Sequence, residues 1–193
     1  MIFIYDISIA FFIGVVFYFF QVFLVKFRKR RNAQRELNFI INNLIDLICL
    51  IIRHYYSKEK LIKIRFSNNP QEYIFNNIDE VSKFIEVNLK LNDTIKFEWN
   101  KNKLTFVDEF EKVVNQFTTD YREIILKYGD CLEEKTLNHL EKIHRNYIFI
   151  NFREYKGMFS KINLFSCEVR GLLINMCNVQ KTANKINDYV KLS

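Results

Sequence analysis

The feature that most constrains this chain is a run of nineteen residues without a charged side chain, from residue 7 to residue 25. As an α-helix with a rise of 1.5 Å per residue, this run would extend roughly 28 Å, close to the thickness of the hydrocarbon core of a bilayer. A cleaved secretion signal carries basic residues before its apolar run, whereas here Asp6 precedes the run and a basic segment follows it. The sequence therefore predicts a transmembrane anchor over residues 1–26.

Positive charge is concentrated directly after the predicted anchor. The cations of this segment are Lys26, Arg28, Lys29, Arg30, Arg31 and Arg35. Because Asp6 is the only acid before Glu36, residues 1–35 carry a net charge of +5, which leaves only +2 of the total +7 for the rest of the chain. The positive-inside rule places such a segment in the cytoplasm, in contact with lipid headgroups. We therefore expect the N-terminus outside and the rest of the chain in the cytoplasm, and we do not expect nucleic acid as its main ligand.

One side of the predicted anchor differs in composition from the remainder. At about 100° per residue, small and polar side chains share one third of the helix surface, whereas Phe and Val cover the other two thirds. This anchor face, for membrane-helix packing or a pore lining, consists of Asp6, Ala10, Gly14, Tyr18 and Gln21. Small residues four positions apart let a second helix approach closely, and a glutamine can hydrogen-bond across the contact. The pattern favours a homo-oligomer, although one glycine and one glutamine are equally compatible with a monomeric anchor.

Helical periodicity dominates the rest of the chain, which has only four Gly and one Pro in all. Residues 33–57 contain too few apolar positions for a second span, and a polar stripe marks them as a core helix. That stripe is Asn38, Asn42, Asp46 and Arg53. Apolar residues at three- and four-residue steps predict further helices over residues 106–128, 130–147 and 162–190. The sequence thus predicts a mostly α protein, an anchor followed by a cytoplasmic four-helix-bundle-like domain.

Residues 58–105 are less regular, and we interpret them as a mixed insertion. Residues 60–66 alternate like an edge strand, Pro70 indicates a loop, and residues 78–89 favour a short helix. Residues 94–106 permit a small β-hairpin, but a helix is also compatible with them. We divide the chain into the anchor, a basic juxtamembrane segment with the first long helix, the mixed insertion and a helical bundle. The boundaries are 1–26, 27–57, 58–105 and 106–193.

Motifs for chemistry are scarce in this sequence. It contains no phosphate-binding glycine loop, dinucleotide fingerprint, zinc-protease motif or hydrolase elbow. Its histidines lack the spacing of a ligand pair, so we expect no metal and no cofactor. The four cysteines fit reduced thiols that pack as small apolar groups, and zinc or disulfide alternatives are less economical. They are Cys49, Cys131, Cys167 and Cys177.

One segment bears on a catalytic function. Arg145 and Asn146 resemble the start of the motif of helical RNases in the HEPN superfamily, in which a histidine follows four to six residues later. Asn151 stands at that place in this chain. An amide cannot act as a general acid or base near neutral pH, so the sequence gives no firm expectation of an enzyme. The alternatives are a structural Arg145 and a degenerate HEPN-like fold that retains dimerisation or RNA contact.

The basic-flanked anchor, the small helical domain and the degenerate motif together resemble the small membrane accessory proteins of type VI-B CRISPR systems. That resemblance implies a membrane oligomer that serves antiviral defence, by a pore that permeabilises the inner membrane. A membrane-tethered scaffold or sensor that binds a cytoplasmic partner, such as an RNA-guided nuclease, is the alternative. A degenerate HEPN-like RNase is the third hypothesis.

Overall fold

The computed structural model describes residues 2–55, 69–89, 94–95, 104–154 and 166–191, and nearly all of them are helical. In chain order the elements are α1 (Ile2–Tyr18), a π-helix (Phe19–Phe23), α2 (Leu24–Tyr55), α3 (Pro70–Asn76), α4 (Ile78–Asn88), β1 (Thr94–Ile95), β2 (Leu104–Thr105), α5 (Phe106–Tyr128), α6 (Glu134–His144), α7 (Tyr147–Glu154) and α8 (Ser166–Lys191). The predicted mostly α fold is confirmed.

One continuous helix forms the N-terminal part of the molecule. The elements α1, π-helix and α2 follow one another without a loop over residues 2–55, a length of about 80 Å. Among the described residues, this is the one helix long and apolar enough to cross a membrane, and none of its most apolar stretch is buried inside the fold. The π-helix contains Gln21, and its hydrogen bonds span five residues instead of four.

The second half of α2 lies in the core, as the sequence predicts. Its buried face begins at Ala33 and continues to Ile52, whereas Asn42, Asp46 and Arg53 are exposed. Ala33 comes only eight positions, or about 12 Å of helix, after Val25, the last apolar residue of the predicted anchor. The packed domain therefore starts very close to the end of the apolar segment.

Pro70 begins a helix, which corrects the loop predicted around this residue. Asn69 caps α3, because its side-chain oxygen accepts the backbone N–H of Glu72 at 3.2 Å. Proline is well tolerated at the first helical position, where its missing N–H would have no helical partner. The next helix, α4, confirms the short helix predicted over residues 78–89. The buried apolar residues that α3 and α4 add to the core are Ile74, Val81 and Ile85.

Two short strands pair before α5. Thr94 lies opposite Thr105 and Ile95 opposite Leu104 in an antiparallel arrangement. The residues between the strands, and the edge strand predicted over residues 60–66, lie outside the described residues. A hairpin larger than this ladder therefore stays a prediction.

Helix α5 begins and ends where the sequence predicts. Thr105 and Asp108 form a capping box: the Asp108 N–H donates to Thr105 Oγ1 at 3.3 Å, and the Thr105 N–H donates to Asp108 Oδ2 at 2.7 Å. The Thr105 N–H and the Thr105 hydroxyl, which also donates to Asp108 Oδ2 at 2.7 Å, favour the carboxylate and lower the pKa of Asp108. Gly129 follows the helix, and a Cβ there would lie 2.6 Å from the carbonyl oxygen of Ile125. Only glycine fits this turn without a shift of the backbone.

The structure corrects the single helix predicted over residues 130–147. This helix divides after His144, and Tyr147 begins α7. Asn146 causes the division, because its side-chain oxygen accepts the backbone N–H of Ile148 at 3.0 Å. An asparagine that caps a new helix competes with continuation of the preceding one.

Contacts at both ends of α5 show that it runs antiparallel to α2. At the end remote from the apolar segment, the rings of His54 and Phe106 lie edge to face, with centroids 5.1 Å apart. At the other end, Lys29 Nζ lies 3.4 Å from Asp130 Oδ2. The turn between α5 and α6 is therefore next to the start of α2.

Helix α8 also runs toward the apolar segment. Near its start, the carbonyl of Glu168 accepts the side-chain amide of Asn146, which follows the remote end of α6. Farther along, the buried Gln34 donates its side-chain amide to the carbonyl of Ala183. The helices α2, α5, α6 and α8 share one continuous core. Residues 162–165, the predicted start of α8, lie outside the described residues.

Candidate functional site

The predicted anchor face lies on α1 and the π-helix. Four of its residues are exposed, namely Ala10, Gly14, Tyr18 and Gln21, and Asp6 belongs to the same helix. A Cβ built at Gly14 would meet no atom within 4 Å. The fold of a single chain therefore does not require glycine at this position. The surface around Gly14 is open to a second helix.

The predicted headgroup contacts all lie on the first turns of α2 and are exposed. We call this set the basic collar: Lys26, Arg28, Lys29, Arg30, Arg31 and Arg35. Two residues of the same stretch, Ala33 and Gln34, are buried instead. The collar is therefore part of the folded domain rather than a separate linker. Its positive charge occupies the level at which the apolar segment ends.

A cluster around His144 was missed by sequence reasoning. Arg153 of α7 donates one N–H to Nε2 of His144 at 2.6 Å and another to the His144 carbonyl oxygen at 2.9 Å. The ring of Tyr121 stacks on the imidazole with centroids 4.4 Å apart. Because a guanidinium only donates, Nε2 is the acceptor, and the imidazole is neutral in this arrangement.

Electrostatics at this cluster favour the neutral imidazole. Partial burial lowers the pKa of His144, and the charges of Arg153, Arg122 and Arg145 lower it further. Glu141 acts in the opposite direction, but its carboxylate is paired with Arg145 at 2.7 Å. The charges of three guanidinium groups thus act against protonation of one imidazole whose Nε2 is already occupied. This nitrogen is not placed to take a proton from a substrate.

The three residues that resemble a HEPN motif have structural partners. Arg145 forms the ion pair with Glu141, and Asn146 caps α7. Asn151 is buried and donates its side-chain amide to the carbonyl of Tyr147 at 2.9 Å. Each of the three residues therefore has an intramolecular partner in this fold. The approach of His144 to Arg153 crosses a break between two helices, so no regular spacing in the sequence indicated it.

The pairing of His144 with Arg153 predicts a stability loss in mild acid. Below its ordinary pKa of 6.5, His144 gains a proton in the unfolded chain, whereas the folded protein resists this protonation. The free energy of unfolding should therefore fall as the pH drops through this range. The variant His144→Gln, which keeps a side-chain acceptor for Arg153, should lose part of this pH dependence. Thermal unfolding in detergent at about pH 7.5 and about pH 5.5 tests this; equal pH responses of the two proteins would contradict it.

The cysteines occupy different environments. Cys49 and Cys177 are buried, Cys131 is half-buried, and Cys167 is exposed at the start of α8. The exposure of Cys167 corrects the expectation that all four pack as apolar groups. Burial raises the pKa of Cys49 to about 11, which makes its thiol unreactive. Within the described ranges, no three His, Cys, Asp or Glu side chains lie close enough together to hold a metal ion.

Function is therefore inferred from the anchor face, the basic collar and the packing of the domain against them. Comparisons with protein-family models, with curated proteins and with solved structures find no match for this chain.

Proposed function

We propose that this chain is a single-pass, homo-oligomeric membrane effector of bacterial antiviral defence. In this proposal α1 and the π-helix cross the inner membrane, and the four-helix-bundle-like domain lies in the cytoplasm. The observation that carries the proposal is the continuous helix of residues 2–55, in which no residue from 8 to 25 is buried, whereas residues 33–52 contribute to the core. If one half of this helix associates with its counterpart in a second chain, the remaining halves of the two chains also come close together.

The charge distribution supports the proposed orientation. The basic collar lies at one end of the apolar segment, and positively charged residues are retained on the cytoplasmic side during insertion. Its six cations also match the negative surface potential of the cytoplasmic leaflet. The N-terminus is then outside, and the domain lies inside the cell.

The anchor face supports the proposed assembly. A side of the helix that carries Gly14 and Gln21 loses least when it faces protein or water instead of lipid. In a ring of anchors, this face would line a narrow passage, and the apolar residues would face the lipid tails. Such a passage is the means by which we propose that the oligomer permeabilises the membrane.

A substitution at Gly14 tests the assembly. We expect Gly14→Leu to block close helix approach, so that the detergent-solubilised protein shifts from oligomer to monomer and its expression no longer depolarises cells. The fold of the single chain should not change, because no atom lies within 4 Å of the added Cβ. Val16→Leu is the matched control, since Val16 lies about 200° around the helix from Gly14.

Two results would overturn the proposal. One is a wild-type protein that is monomeric in detergent at every concentration. The other is a Gly14→Leu variant that assembles and depolarises cells as well as Val16→Leu does. Mass measurement of the solubilised proteins and a potential-sensitive dye in expressing cells supply the two readouts.

Exposed apolar side chains on the domain favour a second candidate, a membrane-tethered scaffold or sensor. Phe39 on α2 and Leu126 on α5 are both large, apolar and solvent-exposed. Aromatic and aliphatic side chains of this kind anchor protein–protein contacts. A monomer that leaves the membrane potential intact, but retains a cytoplasmic protein through Phe39 and Leu126, would identify this function instead.

A further inference from the structure

The turn between α5 and α6 lies beside the basic collar. Lys29 and Asp130 form an ion pair at 3.4 Å although 101 positions separate them in the chain. Burial and Asp130 raise the pKa of Cys131, whereas Lys29 and Arg30 lower it, so both cations are near this thiol. We infer that residues 128–131 contact the phospholipid headgroup layer, and that the domain stands directly on the membrane surface. This inference rests on the proposed insertion of the anchor, but not on oligomers or a pore.

The height of the turn above the hydrocarbon core follows from the ion pair that joins the turn to α2. Lys29 comes four residues after Val25, which is about 6 Å along the helix axis. The headgroup region is about 5–7 Å thick on each side of the hydrocarbon core. Side chains on a helix lean toward its N-terminus, so the ammonium group of Lys29 points toward the bilayer. Its partner Asp130 is then at the height of the headgroups.

The end of α8 reaches the same height from another side of the domain. The carbonyl of Ala183 accepts the amide of Gln34, nine residues after Val25. Helix α8 continues for eight residues beyond Ala183, toward the anchor, which is about 12 Å of backbone. Two separate elements of the domain thus end at the level at which the apolar segment ends. The membrane-facing side of the domain is therefore broad rather than a single point.

Charge at this surface suits phospholipids. The carboxylate of Asp130 alone would be repelled by headgroup phosphates, but Lys29 lies beside it, and the two side chains remain 69% and 46% exposed. The exposed Arg28, Arg30 and Arg31 stay available to bind phosphate oxygens. We assign the phosphodiester headgroup as the ligand of this surface.

Two native cysteines allow a matched test with full-length protein. Cys131 marks the turn, and Cys167 marks the opposite end of the domain, sixteen residues of helix from Ala183. A thiol-reactive fluorophore is attached to Cys131 in a Cys167→Ser variant and to Cys167 in a Cys131→Ser variant. The buried Cys49 and Cys177 are checked in the double variant, which should take up no label. Serine at position 131 can still donate to the Tyr128 carbonyl, as the thiol does at 3.1 Å.

Each labelled protein is inserted into vesicles of phosphatidylcholine and phosphatidylglycerol that contain a lipid with a nitroxide on its headgroup. Both leaflets carry the quencher, so the direction of insertion does not affect the result. We expect the label at Cys131 to lose at least half of its fluorescence and the label at Cys167 to lose almost none. Equal quenching at the two sites, in protein that floats with the vesicles, would overturn the inference and leave the anchor intact. Protein that does not float with the vesicles would overturn the proposed membrane function itself.

Discussion

Replacing Phe152 by alanine should lower the free energy of unfolding by about 3–5 kcal/mol. Phe152 is only 1% exposed, and its ring stacks on that of Phe110 with centroids 5.1 Å apart. This contact joins α7 to α5. Neighbouring side chains would close the resulting cavity only in part, so the loss includes both the burial of the ring and the cost of the cavity.

Two further variants serve as controls for the Phe152→Ala measurement. Phe39→Ala removes the same ring from α2, but Phe39 is 54% exposed, and the change in unfolding free energy should stay within about 0.5 kcal/mol. Phe152→Leu keeps much of the buried apolar volume, so its loss should be smaller than that of Phe152→Ala. Denaturant unfolding in detergent, followed by circular dichroism, measures all three. Equal losses for Phe152→Ala and Phe39→Ala would show that α7 does not pack as described.

Removing residues 1–25 should convert the protein from a species that needs detergent into one that is soluble without it. Side chains of residues 8–25 make no buried contact with the domain, and the core starts at Ala33. Exposed apolar area of this size on a soluble protein would drive aggregation or membrane binding. The deletion therefore removes the cause of insolubility and leaves every described core contact in place.

The same deletion provides its own control on folding. The shortened chain should remain helical and unfold cooperatively, at a temperature close to that of the full-length protein in detergent. A shortened chain that is insoluble or unfolded would show that the apolar segment takes part in the fold. Full-length protein that stays in solution without detergent would contradict the membrane assignment from the other direction.

Local signals in the sequence predicted the elements that depend on neighbouring residues. The capping box of Thr105 and Asp108 and the glycine after α5 act within one or two helical turns, and the apolar run of residues 7–25 is contiguous in the sequence. Pro70 carried a signal that was overlooked, because Asn69 before it is a favourable cap and proline suits a first helical position. The division at Asn146 was hidden for a different reason: the apolar spacing continues across it to Tyr147.

Contacts between distant parts of the chain were not predictable in this way. Lys29 meets Asp130, and Gln34 meets Ala183, only after α5 and α8 have packed against α2. The approach of Arg153 to His144 depends on the angle between α6 and α7, which no single-helix periodicity encodes. The anchor face and the basic collar could be delineated from sequence because each lies on one continuous helix, and their functional roles stay predictions. The His144 cluster and the position of the turn between α5 and α6 beside the basic collar required the tertiary structure.

The apolar segment and the domain core share one helix. No loop between them would let the domain rotate independently of the apolar segment. The twelve buried residues of α2 fix that helix within the domain. No loop interrupts the helix between the domain core and residue 2. Tilting or twisting the domain therefore tilts or twists the apolar half of the same helix by a similar angle. A ligand that reorients the domain would therefore also reorient the apolar segment. A flexible linker between the two would not transmit this motion.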